Sequence, residues 1–294
     1  ELKRLQNIKD SGQYLLGFGS RRNPNLAEHI KLCDSWVDSD TEAKDLSPGK
    51  LNHVMNAVSG WVWMAEFIAA HTRKGRMPPV WKSWVMKDGR AWSDRFFRKT
   101  KYHKEFSVPP IQEGVLGKEY LHRIRSQLSA LENTQSPVIH QFAKTIAAEK
   151  RAGRRTLVAS SGHMVMNYVG KFSDSMWADN VEVHENLESQ LNNFKQKSTR
   201  NGLVLRLGYF GLSNKIDALF KEKKNRVLLM TAENPLPEFS SYLNYPERVD
   251  LGLAFGDACV PIEGYPIPLF PPSGVVKAVA YEALNIEILD DLKN

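Results

Sequence analysis

The chain has 294 residues, 42% hydrophobic and 25% charged, the balance of a soluble globular protein with one large domain or two of ordinary size. Its longest apolar stretch, roughly residues 57–70, is broken by glycine and Glu66 and is too short for a membrane span, so no transmembrane segment is expected. Cys33 and Cys259 are the only cysteines and lie far apart without metal-ligand spacing, which argues against a disulfide framework or a zinc site and for a reducing, cytoplasmic setting, with a removed leader left open by the start at Glu1.

The net charge of +7 is uneven: residues 1–115 hold 19 Lys/Arg against 13 Asp/Glu, the remainder 21 against 20. The excess lies in residues 73–104, where eleven basic residues face only Asp88 and Asp94 and alternate with Trp81, Trp84, Trp92, Phe96, Phe97 and Tyr102. Such a segment grips nucleic acid by phosphate contact and base stacking, or is a cationic surface loop whose aromatics pack on the body, or is a rim that attracts small anions. Nucleic acid ranks last because no helix-turn-helix pattern accompanies it.

In chain order, "CDSWVDSD" reads as a strand, followed by a polar loop, Ser47-Pro48-Gly49 and a helix over 51–71. That helix carries Leu51, Val54, Met55, Val58, Trp61, Val62, Ala65 and Ile68 at i, i+3, i+4, i+7 spacing and buries one face. Two helices are predicted over 118–131 and 137–152, then a strand over 156–160 and the loop "SGHMVMNYVGKF" opening a helix. "NVEVHE" reads as a strand, 187–197 as a helix, 203–207 as a strand, 213–223 as a helix and 227–231 as a strand. A Pro-rich loop over 234–246, the strand "VDLGLAF" and a helix over 273–289 complete the chain. Short apolar strands alternating with helices argue for an α/β fold, a parallel sheet covered on both faces, with ligands at the strand carboxyl ends. The strand, loop and serine-led helix near residue 50 parallel those near residue 273, so one complete α/β unit and the trailing part of a second are expected.

Three stretches resemble the sugar-isomerase (SIS) domain family. "SPVIHQFAKTIAAEKRAGRRTLVASSGHM" is similar to that family's opening helix and first strand, and "GLVLRLGYFGLSNKIDALFKEKKNRVLLMTAENP" to its second unit, whose usual loop is Ser-x-Ser-Gly-x-Thr. "GDACVPIEGYPIPLFPPSGVVKAVAYEAL" is similar to its acidic loop and final helix. More weakly, "LNHVMNAVSGWVWMAEFIAAHTRKGRMPPVWKSWVMKDG" and the preceding "GQYLLGFGSRRNPNLAEHIKLCDSWVDSD" resemble the end of phosphoheptose-isomerase-like members. The resemblance implies a Rossmann-like three-layer fold, a partial SIS-like half over 1–112, a SIS domain over 113–294, a phosphorylated or acidic sugar as ligand, no cofactor, and a homodimer or higher homo-oligomer.

The candidate ligand-binding residues are Ser160, Ser161, Gly162 and His163 after the first strand, Gly208, Phe210, Gly211, Ser213 and Asn214 in the second loop, and Ser273 and Gly274 at the last helix. Ser213, Asn214 and Ser273 are equally readable as helix N-caps. Against the family pattern, Gly208 and Phe210 stand where serines are usual, Ser213 replaces the threonine, and Met164 follows Gly-His where a serine is usual. A helix N-terminus still offers amides and a positive dipole end to an anion, and Phe210 could stack on a sugar. Isomerisation needs a base that moves a proton between adjacent carbons, for which His184, Glu185 and Glu233 are the first candidates, with His53 and His103 behind them. A strand-end Glu-His pair is also an ordinary solvated turn. The resemblance thus implies a sugar-phosphate-binding protein, either an aldose-ketose isomerase or a non-catalytic or structural module with an eroded phosphate loop.

Overall fold

The computed structural model describes residues 1–39, 48–96, 98–162, 177, 179–184 and 186–293. They fall into two compact units, residues 1–74 with 110–121, and residues 75–109 with 122–294. Among the described residues no helix is long and apolar enough to cross a membrane.

The first unit runs α1 (Leu2–Asp10), β1 (Leu16–Gly19), α2 (Ala27–Leu32), β2 (Ser35–Asp38) and α3 (Pro48–Thr72), with β1 and β2 paired in parallel. The glycines of "GFGS" are a packing solution: a Cβ on Gly17 would sit 2.3 Å from the Trp36 ring, whose Nε1 donates to the Gly19 carbonyl at 2.9 Å. Phe18, between them, meets Trp63 of α3 edge-on with centroids 6.3 Å apart. Glu66, which interrupts the apolar run of α3, accepts hydrogen bonds from the amides of Gly114 at 2.9 Å and Gly117 at 3.2 Å. Its carboxylate thereby satisfies orphan donors at the positive end of α5 (Val115–Arg151).

The second unit holds a five-stranded parallel sheet of β3 (Thr156–Ser160), β4 (Asp179–Glu182), β5 (Leu203–Phe210), β6 (Arg226–Ala232) and β7 (Arg248–Asp250), in the order β4-β3-β5-β6-β7. Its helices are α4 (Gly89–Phe96), most of α5, α6 (Glu188–Lys197), α7 (Asn214–Glu222) and α8 (Ser273–Lys293). Alternate residues of β5 face opposite layers. Leu203, Leu205 and Leu207 pack with Ile139, Phe142 and Ile146 of α5 and with Ala280, Tyr281 and Leu284 of α8. Val204 packs with Leu191 and Phe194 of α6 and with Ile216 and Phe220 of α7. Helices therefore cover both faces, as the mostly apolar central strands β3, β5 and β6 require. The chain leaves β3 to one side for β4 and returns to the other for β5, so the topology switches between the carboxyl ends of β3 and β5, the position where open α/β sheets hold ligands.

The helix expected to open from "SGHMVMNYVGKF" lies outside the described residues, and among those described two predicted elements differ. The helical pair over 118–131 and 137–152 is the single helix α5, with Pro137 inside it. Proline removes one N–H donor and crowds the preceding turn, yet Leu131 on one side and Ile139 and Phe142 on the other are buried in one cluster, and this packing carries the helix through. The hydroxyls of Thr134 and Ser136 bond back to the carbonyls of Ala130 and Glu132 at 2.7 and 2.6 Å. The strand predicted over 249–255 stops at Asp250, whose carboxylate takes the Gly252 amide at 2.9 Å and turns the chain, although Leu251 and Leu253 stay buried.

Because Pro137 is exposed, Pro137→Ala is expected to stabilise the protein by about 1–3 kcal/mol in urea unfolding. A loss of stability would instead show that the proline turn is needed to present Gln135, whose Oε1 accepts from the Asp250 amide at 3.0 Å and ties α5 to β7.

Candidate functional site

At the carboxyl ends of β3 and β5 the contacts gather on Ser161, the first residue beyond β3, whose amide donates to the Leu207 carbonyl of β5 at 3.0 Å. Two cations reach it from opposite layers. Arg206 lies on the face of β5 that Val204 shares with α6 and α7; its Nη2 donates to Ser161 Oγ at 2.8 Å and its Nη1 to the carbonyls of Ala159 and Val183, both at 3.3 Å. Lys277, in the first turns of α8 on the other layer, donates from Nζ to the Ser161 carbonyl at 3.0 Å. Arg206 is 4% exposed and Lys277 0%. Burying two cations of this kind is costly and requires compensating partners.

Asp257 supplies the compensating carboxylate. It accepts from the Tyr209 hydroxyl, from the Ser273 amide at 3.1 Å and from Ser273 Oγ at 2.9 Å. Tyr209, near the end of β5, lies with its ring under Lys277, Nζ 4.8 Å from the centroid, and its phenol also meets the Ser83 hydroxyl. Gly162 must be glycine: its φ is +90°, and a Cβ there would lie 2.6 Å from Lys277 Nζ and 3.2 Å from the Tyr209 ring. Burial drives the Lys277 ammonium down to about 7, against the Asp257 charge, which raises it, while the Arg206 charge lowers it further. Burial, with the Asp257 carboxylate beside it, pushes the Tyr209 phenol up.

Of the residues singled out in the sequence, Ser161, Gly162 and Ser273 lie in this network, with Gly274 buried beside Ser273. Ser160 is buried and its hydroxyl meets Asn180 Oδ1 at 3.4 Å. His163 and Glu185 lie outside the described residues. Arg206, Tyr209, Asp257 and Lys277 were not singled out, though two carried a signal: an arginine inside the apolar run "LVLRL", and a lysine on the helical face it shares with Tyr281, Leu284 and Ile288.

The loop "GYFGLSN" serves the scaffold. Gly208 lies against Thr231, where a Cβ would come within 2.7 Å of Oγ1. Phe210 is buried in the core, its ring 5.5 Å from Phe255, rather than offered to a ligand for stacking. The amides of Gly211 and Leu212 donate to the carbonyls of Ala232 at 2.7 Å and Phe239 at 2.9 Å. Ser213 caps α7, its Oγ accepting from the Ile216 amide at 3.3 Å, and Asn214 Oδ1 accepts from the Ser241 hydroxyl at 2.6 Å.

His184 is half-buried at the end of β4 and pairs with Glu182 at 3.4 Å, and Glu233 is exposed after β6. His53 is exposed on α3. His103 is buried between Glu105, 3.1 Å from Nδ1, and the Tyr265 hydroxyl, 3.1 Å from Nε2, in an aromatic cluster with Trp92, Phe96 and Phe106. The basic segment thus packs those aromatics on the second unit while Trp81 and Trp84 remain 53% and 60% exposed. Among the described residues no group of three or more His, Cys, Asp or Glu could hold a metal ion.

Lys277 fixes a stability-pH relation. Its folded value near 7 lies below its ordinary value of 10.5, so between these pH values the unfolded chain binds more protons and stability rises with pH. The melting temperature should climb from pH 7 to pH 9, a gain on the order of 2 kcal/mol, and Lys277→Met should remove that rise. Gly162→Ala should lower the melting temperature by displacing Lys277 and Tyr209; no change would mean that Nζ does not sit against Gly162.

No protein-family model matches the sequence, and no curated protein matches it. Among solved structures, the chain is similar to a phosphoheptose isomerase from Francisella tularensis, at 12% identity and a TM-score of 0.40, over 59% of this chain and 96% of that one. It is similar to a Bacteroides fragilis protein described as a phosphosugar isomerase involved in capsule formation, at 12% identity and 0.44, over 60% and 89%. It is also similar to tagatose-6-phosphate ketose/aldose isomerase from Escherichia coli, at 11% identity and 0.38, over 57% of this chain but only 46% of that one. At these identities the likeness concerns the fold.

Proposed function

We propose that this protein binds an anionic carbohydrate derivative, a sugar phosphate first, at the carboxyl ends of β3 and β5. The observation that carries the reading is the convergence of two buried cations, Arg206 and Lys277, on Ser161, with Asp257 as the carboxylate in the same network. Desolvated positive charge at the carboxyl end of a parallel sheet, beside the N-terminus of α8, attracts an oxyanion far more strongly than the same charge in water. The resemblance of residues 115–294 to SIS domains supplies the ligand class. Binding rests on this network; isomerisation of the bound sugar is the finer reading, with His184, Glu185 and Glu233 as its acid-base groups.

A second reading has its own observation. Asp257 already accepts from Tyr209 and Ser273, and Lys277 already donates to Ser161, so the network is satisfied by its own side chains and could serve as a structural polar core.

A thermal-shift series of sugar phosphates and sugar acids, with sulfate as the control anion, separates these readings. Binding predicts that at least one sugar anion raises the melting temperature more than sulfate does, and that Arg206→Met removes the increment. A series in which nothing exceeds sulfate favours the structural core. If a ligand is found, turnover that is abolished by His184→Ala while the thermal shift survives establishes the isomerase; a shift without turnover at any pH establishes a binding module.

A further inference from the structure

Among the described residues, Lys277 Nζ is met by groups from several elements. Ser161 and Gly162 approach from the loop after β3, the Arg206 cation and the Tyr209 ring from β5, and the Asp257 carboxylate from the loop before α8, with Ser273 one turn away on α8 itself. Among the described residues the charged and titratable groups that face it are one permanent cation, one carboxylate shared among three donors, and one phenol held neutral by burial. In this setting the ammonium form has little to balance it until a second negative charge arrives.

We propose that this position is a proton-coupled anion site, in which an oxyanion is held with Lys277 as ammonium and each binding event draws one proton from solution at mildly alkaline pH. The inference rests on the binding reading above and deepens it. The amine accepts the proton and becomes a charged donor to the oxyanion; no bond other than N–H is formed. Arg206, already bonded to Ser161, Ala159 and Val183, stays charged in both states and contributes a fixed positive charge beside the anion. With the empty-site amine titrating near 7, at pH 8 about nine sites in ten hold it neutral before the anion binds. Affinity should accordingly fall close to tenfold per pH unit above pH 8, and proton uptake should approach one per anion there and drop to about a tenth of that at pH 6.

Calorimetric titration tests this with glucose 6-phosphate as the first probe and glucose 6-sulfate as the second, since the charge of the sulfate ester does not change between pH 6 and 9. Measuring each in two buffers of different ionisation enthalpy gives the protons taken up per anion. The expected result is uptake near one proton at pH 8 in the native protein and none in Lys277→Arg, which stays charged and binds with an affinity independent of pH. Lys277→Met should also bind without uptake, and more weakly. Anion binding with no uptake in the native protein, or uptake that survives in Lys277→Arg, overturns the proton coupling and leaves the binding reading standing. Absence of binding by every anion overturns both.

Discussion

Two basic side chains held out of water on one serine, one of them a permanent cation, are the constraint on which the polar centre of the second unit depends. Moving a cation from water into a protein interior costs several kcal/mol even after relaxation, comparable to the whole stability of an ordinary domain. The surroundings offset that cost with whatever the fold can offer at this point. Arg206 takes two main-chain carbonyls and a hydroxyl, Lys277 takes one carbonyl and a ring face, and Asp257 balances charge from a position fixed by Ser273. The backbone at Asp257 itself sits at φ 51°, and the preceding Gly256 at φ 107°, so the loop departs from ordinary geometry where it presents the carboxylate.

Parallel strands explain why this point was available. In the order β4-β3-β5-β6-β7 the connections diverge between β3 and β5, the topological switch at whose carboxyl ends open α/β sheets hold ligands. Strand β5 alternates between the two layers, and Arg206 occupies an inward position where Val204, two residues earlier, buries an apolar side chain. An arginine there is tolerated because the Ala159 and Val183 carbonyls and the Ser161 hydroxyl meet it. The same reasoning applies to Lys277, which shares its helical face with Tyr281, Leu284 and Ile288.

Much of the fold was legible because its signals are local. Five short apolar runs separated by helical patterns specify a covered parallel sheet, and Ser213 announces the start of α7 as a cap. What was not legible depends on distance in sequence. Pro137 argues for a break, and only the burial of Ile139 and Phe142 against strands many residues away overrides it. The site was partly legible: position after a strand picks out Ser161 and Gly162, and position before a helix picks out Ser273. Arg206 and Lys277 are visible as charges in apolar company, but no periodicity says that they reach the same serine.

The loop "GYFGLSN" shows how position and chemistry separate. It stands where a phosphate loop would, yet the amides of Gly211 and Leu212 are already bonded to Ala232 and Phe239, and Phe210 faces the core. An anion near this sheet would therefore rely less on main-chain donors than a hydroxyl-rich loop allows, and more on side-chain charge. Backbone amides bind with the same strength at any pH, whereas an amine that titrates near neutrality does not. In the proposed site, exchanging one kind of donor for the other would make occupancy follow the proton concentration, and the burial of Lys277 would set where on the pH scale that happens.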